Sequence, residues 1–302
     1  MSKKVKFISS LRVNASDLTP PTPPPTPPVA TPPKPAAPPV DDINDFARGP
    51  ISKVEEVGQG THEPRHHTIG KHKVITKSDP ASVGFEALGH DMGKEFGIRV
   101  PRTVNRDLPN RDGKVVPHSA QELVKGESGS DIYSHEPLRE DANGNMSHIP
   151  QSLSNHPDMI KMVMWDRLMG NEDRNVGNYI HDEDTNQIHA IDNGGLMSGY
   201  DPLHQDQDSL SKDNLHNVDG DIPEDFRQRV LAADPAHHAA IIVKHLDTPH
   251  GQAALTGNDT PYLEDIQDTY QQRLMEYKKH MANPNIRTVQ HFRDALFPKK
   301  IT

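Results

Sequence analysis

The chain has 302 residues, which fits one large domain or two small ones. Only 32% of the residues are hydrophobic, 28 are proline, and the formal net charge is −10. No apolar run reaches the roughly 20 residues of a membrane helix, and the acidic balance argues against broad binding to nucleic acid or stable association with anionic membranes. Cysteine is absent, which excludes disulfides and thiolate metal sites.

The N-terminal arm, residues 1–47, carries a proline-rich tract at 19–39. Proline fixes φ and removes the backbone donor, so the tract favours polyproline II and cannot form a core. It is either a stiff linker or a ligand for a domain that binds proline-rich motifs. The arm has no secretory h-region, so we expect a cytoplasmic protein. Delivery into another cell by a specialised secretion system is compatible with the same sequence.

The next segment, residues 48–124, has the pattern of a β-rich lobe with one helix. HKVITK at 72–77 is the best strand, and a strand pair is expected at 102–106 and 114–124 around a polar turn. Between them, residues 82–98 carry apolar side chains at helical spacing and end at a glycine.

The remainder, residues 125–302, is predicted to be mainly helical. HPDMIKMVMWDRLMG at 156–170 is a helix with an apolar stripe on one side, and a short hairpin follows it at 176–181 and 187–192. Three more stretches show helical periodicity, at 222–233, 235–246 and 261–281. A β-rich lobe followed by a helical lobe predicts a two-lobed α+β fold.

Two segments around the hairpin carry the candidate chemistry. In GNEDRNVGN (170–178), Asp173 and Asn178 stand five residues apart, the separation of the pattern D-x-x-x-x-N. In IHAIDNGG (188–195), Asp192 precedes an Asn-Gly-Gly turn. Asp173 is placed to orient a hydroxyl nucleophile, and the oxygens of Asn178 and Asp192 are the hard ligands that suit Mg²⁺ or Mn²⁺. The residues Asp166 and Arg167 either brace this loop or form a surface pair.

Upstream residues offer the nucleotide side of such a site. V-I-T-K matches the strand pattern V-A-I-K and places Lys77 over the ATP phosphates, with Glu86 on the following helix as its ion-pair partner. Gly58 and Gly60 form either a turn over the phosphates or an ordinary hairpin turn.

A hinge between the lobes is predicted at QELVKG, residues 121–126. Its centre is apolar, and it leads into a segment rich in Gly and Ser. We assign Glu122 and Val124 of this hinge to the residues that bind the cofactor.

The pattern G-N-x-D-R-x-x-x-N followed by I-D-N-G resembles the atypical kinases, which include phosphatidylinositol 3-/4-kinases, actin-fragmin kinase, HipA-like bacterial kinases and the secreted casein kinases of the Golgi. FEALGHDMGKEFGIRVPRT (85–103) also resembles the helix-to-strand passage of actin-fragmin kinase and HipA-like proteins. The resemblance implies a two-lobed kinase fold that uses ATP and Mg²⁺.

Carried over residue by residue, the resemblance makes Asp173 the catalytic aspartate, with Asn178 and Asp192 as metal ligands. It makes Lys77 and Glu86 the ion pair beside the nucleotide. Arg174 stands where the family often has an arginine before a histidine, and we assign it to the catalytic residues. Asn175 replaces that histidine, which puts the detailed geometry of the loop in question.

The segment after Asp192 is expected to face the acceptor. It is acidic, with Lys212 its lone basic residue against Asp201, Asp206, Asp208, Asp213, Asp219, Asp221, Glu224 and Asp225. Such a strip attracts a basic peptide and repels a phosphoinositide headgroup. The sequence therefore favours a protein Ser/Thr kinase with a basic or neutral target. The alternatives are a phosphoinositide kinase, an AMP-transferring enzyme, and an inactive kinase-like scaffold that presents the proline-rich arm.

Overall fold

An antiparallel sheet occupies the first part of the chain, because β-branched and polar side chains alternate along its strands and bury one face of each. Its strand order is β1-β2-β3-β5-β4, and every neighbouring pair is antiparallel. The strands are β1 (Ile51–Glu56), β2 (Arg65–Ile69), β3 (His72–Lys77), β4 (Thr103–Pro109) and β5 (Val115–Glu122). The strand predicted at 72–77 and the strand pair after it are confirmed.

The computed structural model of the protein describes residues 49, 51–56, 65–69, 72–110, 112–136, 149–197, 210–257 and 262–297. The proline-rich tract and the glycines Gly58 and Gly60 lie outside these described residues. Residues 41–302 form one compact unit. No helix within the described ranges has the length and apolar character needed to cross a membrane.

Helix α1 (Val83–Phe96) connects β3 to β4. Its apolar positions Phe85, Leu88, Met92 and Phe96 are buried, as their helical spacing predicts. The helix ends at Gly97, which adopts a left-handed conformation with φ 70° and donates its N–H to the carbonyl of Lys94 at 3.2 Å. Glycine accepts this conformation at low cost, so the predicted stop is confirmed.

The second part of the described chain is mainly helical. A small sheet of order β6-β7-β8 holds the predicted hairpin, with β6 (Glu127–Ser128), β7 (Tyr179–Asp182) and β8 (Gln187–Ala190). Its helices are α2 (Gly129–Tyr133), α3 (Pro157–Met169), α4 (Leu210–Asn217), α5 (Glu224–Ala232), α6 (Pro235–Leu246), α7 (Pro249–Gly257), α8 (Leu263–Met281) and α9 (Val289–Leu296). The predicted two-lobed α+β fold is therefore confirmed.

Helix α3 differs from its prediction in one respect. The sequence predicts an apolar stripe on one side, yet residues all around the helix are buried, including Met159, Met162, Trp165 and Asp166. The reason is that helix α8 covers a further side, where the Tyr277 hydroxyl donates to the carbonyl of Met164 at 3.0 Å. A single-helix pattern cannot reveal how many neighbours will pack on that helix.

Helix α1 contacts helices α5 and α6 of the helical part at several points along its length. Asp91 accepts hydrogen bonds from Lys244 Nζ at 2.6 Å and His245 Nε2 at 2.9 Å, both on α6. Arg229 on α5 donates to the carbonyls of Lys94 and Glu95 at the end of α1, at 3.3 Å each. The helix that carries Glu86 is thus attached to both parts of the fold.

We expect Asp91→Asn to lower the free energy of unfolding at pH 7 by roughly 1–2 kcal/mol. The hydrogen bond from His245 and the ammonium of Lys244 hold the pKa of Asp91 well below its usual range. A lowered pKa contributes stability above the ordinary carboxyl pKa of about 4, and this contribution is lost as pH falls below that value. Urea unfolding from pH 7 to pH 3 measures the difference, which should shrink at the acidic end.

The matched control is Asp112→Asn, because Asp112 lies exposed in the turn between β4 and β5. It should leave the free energy of unfolding nearly unchanged. Equal losses in the two variants would show that the contact between α1 and α6 contributes no stability of its own.

Candidate active site

Three charged side chains lie in contact in the described structure: Lys77, Glu86 and Asp192. Lys77 and Asp192 are 115 positions apart in the sequence. Lys77 ends β3, Glu86 lies in the first turn of α1, and Asp192 follows β8. Lys77 Nζ lies 3.0 Å from Glu86 Oε1 and 2.8 Å from Asp192 Oδ1. Glu86 is 1% exposed, whereas Asp192 is 37% exposed. Lys77 therefore bridges a buried carboxylate and one that faces the solvent.

The charges of this group stabilise one another. Burial tends to lower the pKa of Lys77, but Glu86 and Asp192 outweigh it and raise that pKa above its ordinary value. Burial disfavours the charged form of Asp192, and Lys77 outweighs it, so the pKa of Asp192 is lowered. Burial raises the pKa of Glu86, and its two donors, Lys77 Nζ and the N–H of Asn193, oppose that shift. Lys77 is thus kept as a cation in a largely enclosed position.

The loop from Gly170 to Asn178 holds Asp173 at the surface. The backbone N–H of Asp173 donates to Asn171 Oδ1 at 3.1 Å. Asn178 Nδ2 donates to the backbone carbonyl of Asp173 at 2.6 Å, and Asn175 Nδ2 donates to Asp173 Oδ1 at 3.2 Å. Asp173 is exposed, so its carboxylate is available to a molecule from outside. Asn175, which replaces the histidine of the resembling families, thus orients the carboxylate of Asp173.

Arg174, which the sequence assigns to the catalytic residues, points the opposite way, into the protein. Only 2% of it is exposed. Its Nε lies 2.9 Å from Asp166 Oδ2, its Nη2 lies 2.7 Å from Asn193 Oδ1, and its Nη1 donates to the backbone carbonyls of Asn178 and Ile191. Since its donors face protein oxygens, Arg174 holds the loop together rather than touching a substrate.

Asp166 is the residue that anchors this arrangement. It is fully buried on α3, pairs with Arg174, and accepts a hydrogen bond from Asn171 Nδ2 at 2.8 Å. Burial raises the pKa of Asp166, while Arg174 opposes the shift. Of the two alternatives that the sequence leaves open for Asp166, the structure favours bracing of the loop. Asn171, the asparagine of the pattern G-N-x-D-R, is a further residue of this arrangement to which the sequence assigned no role.

Asn178 and Asp192 are brought together by the hairpin between them. The N–H of Ile191 donates to the carbonyl of Asn178 at 3.1 Å, which places Asp192 beside the end of the loop. One amide oxygen and one carboxylate suit Mg²⁺, which takes few protein ligands and completes its shell with phosphate and water oxygens. Within the described ranges no group of three or more His, Asp or Glu side chains is arranged to hold a metal. The donor set therefore fits a metal that arrives with a nucleotide.

The segment after Asp192 packs against Asp173. Gly195 packs so tightly that a Cβ there would lie 2.9 Å from Asp173 Cβ and 2.9 Å from Asn171 Oδ1. Any larger residue at this position would displace the loop. The turn that follows the ion-paired Asp192 is therefore packed against Asp173.

Glu122 and Val124, which the sequence predicts to bind the cofactor, line a groove of about 670 Å³ together with residues of α1 and β8. Lys77 pairs with Ser119 across the sheet and Val74 pairs with Glu122, so Glu122 lies on the face of Val74 and not on that of Lys77. There Glu122 Oε2 lies 3.5 Å from Arg102 Nη2. The binding of a cofactor by Glu122 and Val124 stays a prediction.

In the acidic segment, Asp219 and Asp225 lie near the other end of α3, whereas Asn214 Nδ2 donates to the backbone carbonyl of Arg174 at 2.9 Å. Asp225 Oδ2 lies 3.2 Å from Lys161 Nζ, and the N–H of Asp219 donates to the carbonyl of Ser154 at 3.1 Å. Asp173, in contrast, follows the C-terminal end of α3. Asp201, Asp206 and Asp208 lie outside the described residues.

The sequence matches no protein-family model and no curated protein. Among solved structures, the chain is similar to the proinflammatory kinase CtkA of Helicobacter pylori, with 18% identity and a TM-score of 0.43 over 77% of this chain and 98% of CtkA. It is also similar to the kinase domain of maize SIRK1, a sucrose-induced receptor kinase bound to AMP-PNP, with 11% identity and a TM-score of 0.31 over 76% of this chain and 95% of that domain. A third similar structure is the aminoglycoside phosphotransferase APH(4)-Ia, with 10% identity and a TM-score of 0.30 over 78% and 95% of the two chains.

Asp166→Asn should cost about 3–5 kcal/mol of unfolding free energy, because it leaves the buried Arg174 cation without its counter-charge. Asp173→Asn, seven residues on, changes an exposed carboxylate and should cost less than about 1 kcal/mol. Urea unfolding of both variants at pH 7 makes the comparison. A small loss for Asp166→Asn would mean that the pair with Arg174 contributes little to the fold.

Proposed function

We propose that the protein is a phosphotransferase that moves the terminal phosphate of ATP to a hydroxyl group. The observation that carries the proposal is the meeting of the Lys77–Glu86–Asp192 group with the exposed Asp173. These residues supply a fixed cation, the partly exposed carboxylate of Asp192 and the exposed carboxylate of Asp173, which Asn175 orients. Phosphoryl transfer needs these three elements.

Each residue has a distinct part in such a reaction. Bound ATP and Mg²⁺ would supply the phosphoryl group and the charge that stabilises its transfer. The ammonium of Lys77, held by Glu86, faces the phosphate side. Asn178 and Asp192 offer the oxygens that would hold the metal. Asp173 orients the acceptor hydroxyl and accepts its proton.

We further propose that the acceptor is a serine or threonine of a protein with a basic or neutral segment. The formal net charge of −10 disfavours a polyanionic acceptor such as a phosphoinositide headgroup. The acidic segment between Asp192 and Asp225 supports the same choice, and its Asn214 contacts the loop of Asp173 through the carbonyl of Arg174.

Asp173→Asn should reduce transfer of the terminal phosphate from labelled ATP by roughly 10²–10⁴-fold, because the acceptor loses its general base. Lys77→Met and Asp192→Asn should be comparably inactive. Asp184→Asn serves as the control, since Asp184 is 70% exposed at the tip of the hairpin, and it should retain wild-type activity. Thermal unfolding of every variant establishes that it is folded. Full labelling by a folded Asp173→Asn variant would refute the assignment.

The acceptor is tested separately by incubating the wild-type protein with labelled ATP and either a panel of basic proteins or phosphoinositide vesicles. We expect label in protein, with a mass increase that corresponds to phosphate. Label confined to lipid would make the protein a phosphoinositide kinase. A mass increase that corresponds to AMP would replace phosphate transfer with nucleotide transfer.

A further inference from the structure

Asn193 is the residue that contacts both halves of the proposed site. It is 0% exposed and opens the short 3-10 turn Asn193–Gly195. Its backbone N–H donates to Glu86 Oε2 at 3.0 Å, and its side-chain Oδ1 accepts from Arg174 Nη2 at 2.7 Å. Glu86 belongs to the nucleotide side and Arg174 to the loop of Asp173, so a single residue joins the two.

The turn at Asn193 packs directly against α1. A Cβ on Gly89 would lie 2.8 Å from Asn193 Cβ, so α1 approaches this turn through a glycine. The approach lets Glu86 receive Lys77 on one oxygen and the N–H of Asn193 on the other. Glu86 is therefore oriented by a donor from each side.

The residue before Asn193 needs such support. Asp192 has φ 53° and ψ 62°, a left-handed conformation that is unfavourable for a residue with a side chain. In this conformation its carboxylate reaches Lys77 Nζ. Asn193 fixes the chain directly after Asp192 through contacts on both sides, and this stabilises the conformation that the metal-facing carboxylate requires.

Behind Asn193 the contacts continue into the core. Arg174 is held by Asp166 at 2.9 Å, and Asp166 lies on the fully buried face of α3. An uninterrupted series of polar contacts thus runs from α3 through Arg174, Asn193 and Glu86 to Lys77.

We propose that Asn193 is a positioning residue that makes the Lys77–Glu86 pair and the orientation of Asp192 depend on a correctly folded Asp173 loop. The proposal rests on the proposed phosphotransferase function for its consequence in catalysis. The link between Glu86 and Arg174 itself is a property of the fold and is measurable without any reaction.

The test compares two variants, one without and one with an oxygen that can accept from Arg174; both lack the side-chain donor to the carbonyl of Ala190. Asn193→Leu keeps the approximate volume and the backbone N–H but removes the oxygen that faces Arg174. Asn193→Asp keeps that oxygen. We expect the backbone amide hydrogen of residue 193 to exchange with solvent about tenfold faster in Asn193→Leu than in the wild type. The reason is that the turn loses its contact with the Asp173 loop. Amides of α8 serve as the internal reference and should be unchanged.

The same variants are then titrated with Mn²⁺ in the presence of a non-hydrolysable ATP analogue, by electron paramagnetic resonance. Asn193→Leu should bind Mn²⁺ about tenfold more weakly and transfer phosphate at least tenfold more slowly, and Asn193→Asp should recover most of both. Faster exchange throughout the chain, including α8, would mean that Asn193 merely stabilises the fold. Unchanged exchange at residue 193 would overturn the proposed link.

The two proposals fail in different ways. If the wild-type protein transfers no phosphate to any acceptor while the exchange at residue 193 responds as expected, the function is wrong and the link stands. If the wild-type protein is active and Asn193→Leu matches it in exchange, Mn²⁺ affinity and rate, the function stands and the link is wrong.

Discussion

The buried ion pair between Arg174 and Asp166 is the contact on which the candidate site depends. A buried guanidinium is tolerable only when its charge is paired and its donors are satisfied. Asp166 supplies the charge, and the carbonyls of Asn178 and Ile191, with Asn193 Oδ1, accept the remaining donors. Satisfying one cation therefore fixes the end of the loop, the end of the hairpin and the turn after Asp192 at once.

Two aspartates only seven residues apart have opposite roles because their surroundings are opposite. Asp166 is fully buried and paired, so it serves the structure. Asp173 is exposed and is oriented by Asn175 and Asn178, so its carboxylate is available for chemistry. The surroundings of the two carboxylates, rather than their residue type, distinguish Asp166, which stabilises the fold, from Asp173, which is available to a ligand.

The nucleotide side is attached to the same scaffold through α1. Helix α1 contacts the turn at Asn193 on one side and α6 through Asp91 on another. Its glycine at position 89 permits the first contact, and charge stabilises the second. As a result, the position of Glu86, and with it that of Lys77, is set by contacts with elements far along the chain.

The sequence by itself determined the succession of a β-rich part and a helical part. Periodicity located the strand at 72–77, five of the described helices and the hairpin, and the spacing of Asp173, Asn178 and Asp192 identified residues that the fold brings together. These features depend on neighbours in the chain, which a local pattern records.

Only the tertiary structure decided which way particular side chains point. It turned Arg174 into the core, set Glu122 on the face of β5 opposite to the one shared with Lys77, and surrounded α3 on every side. Each of these depends on partners that are distant in sequence, and local spacing defines the faces of an element but not what packs against them.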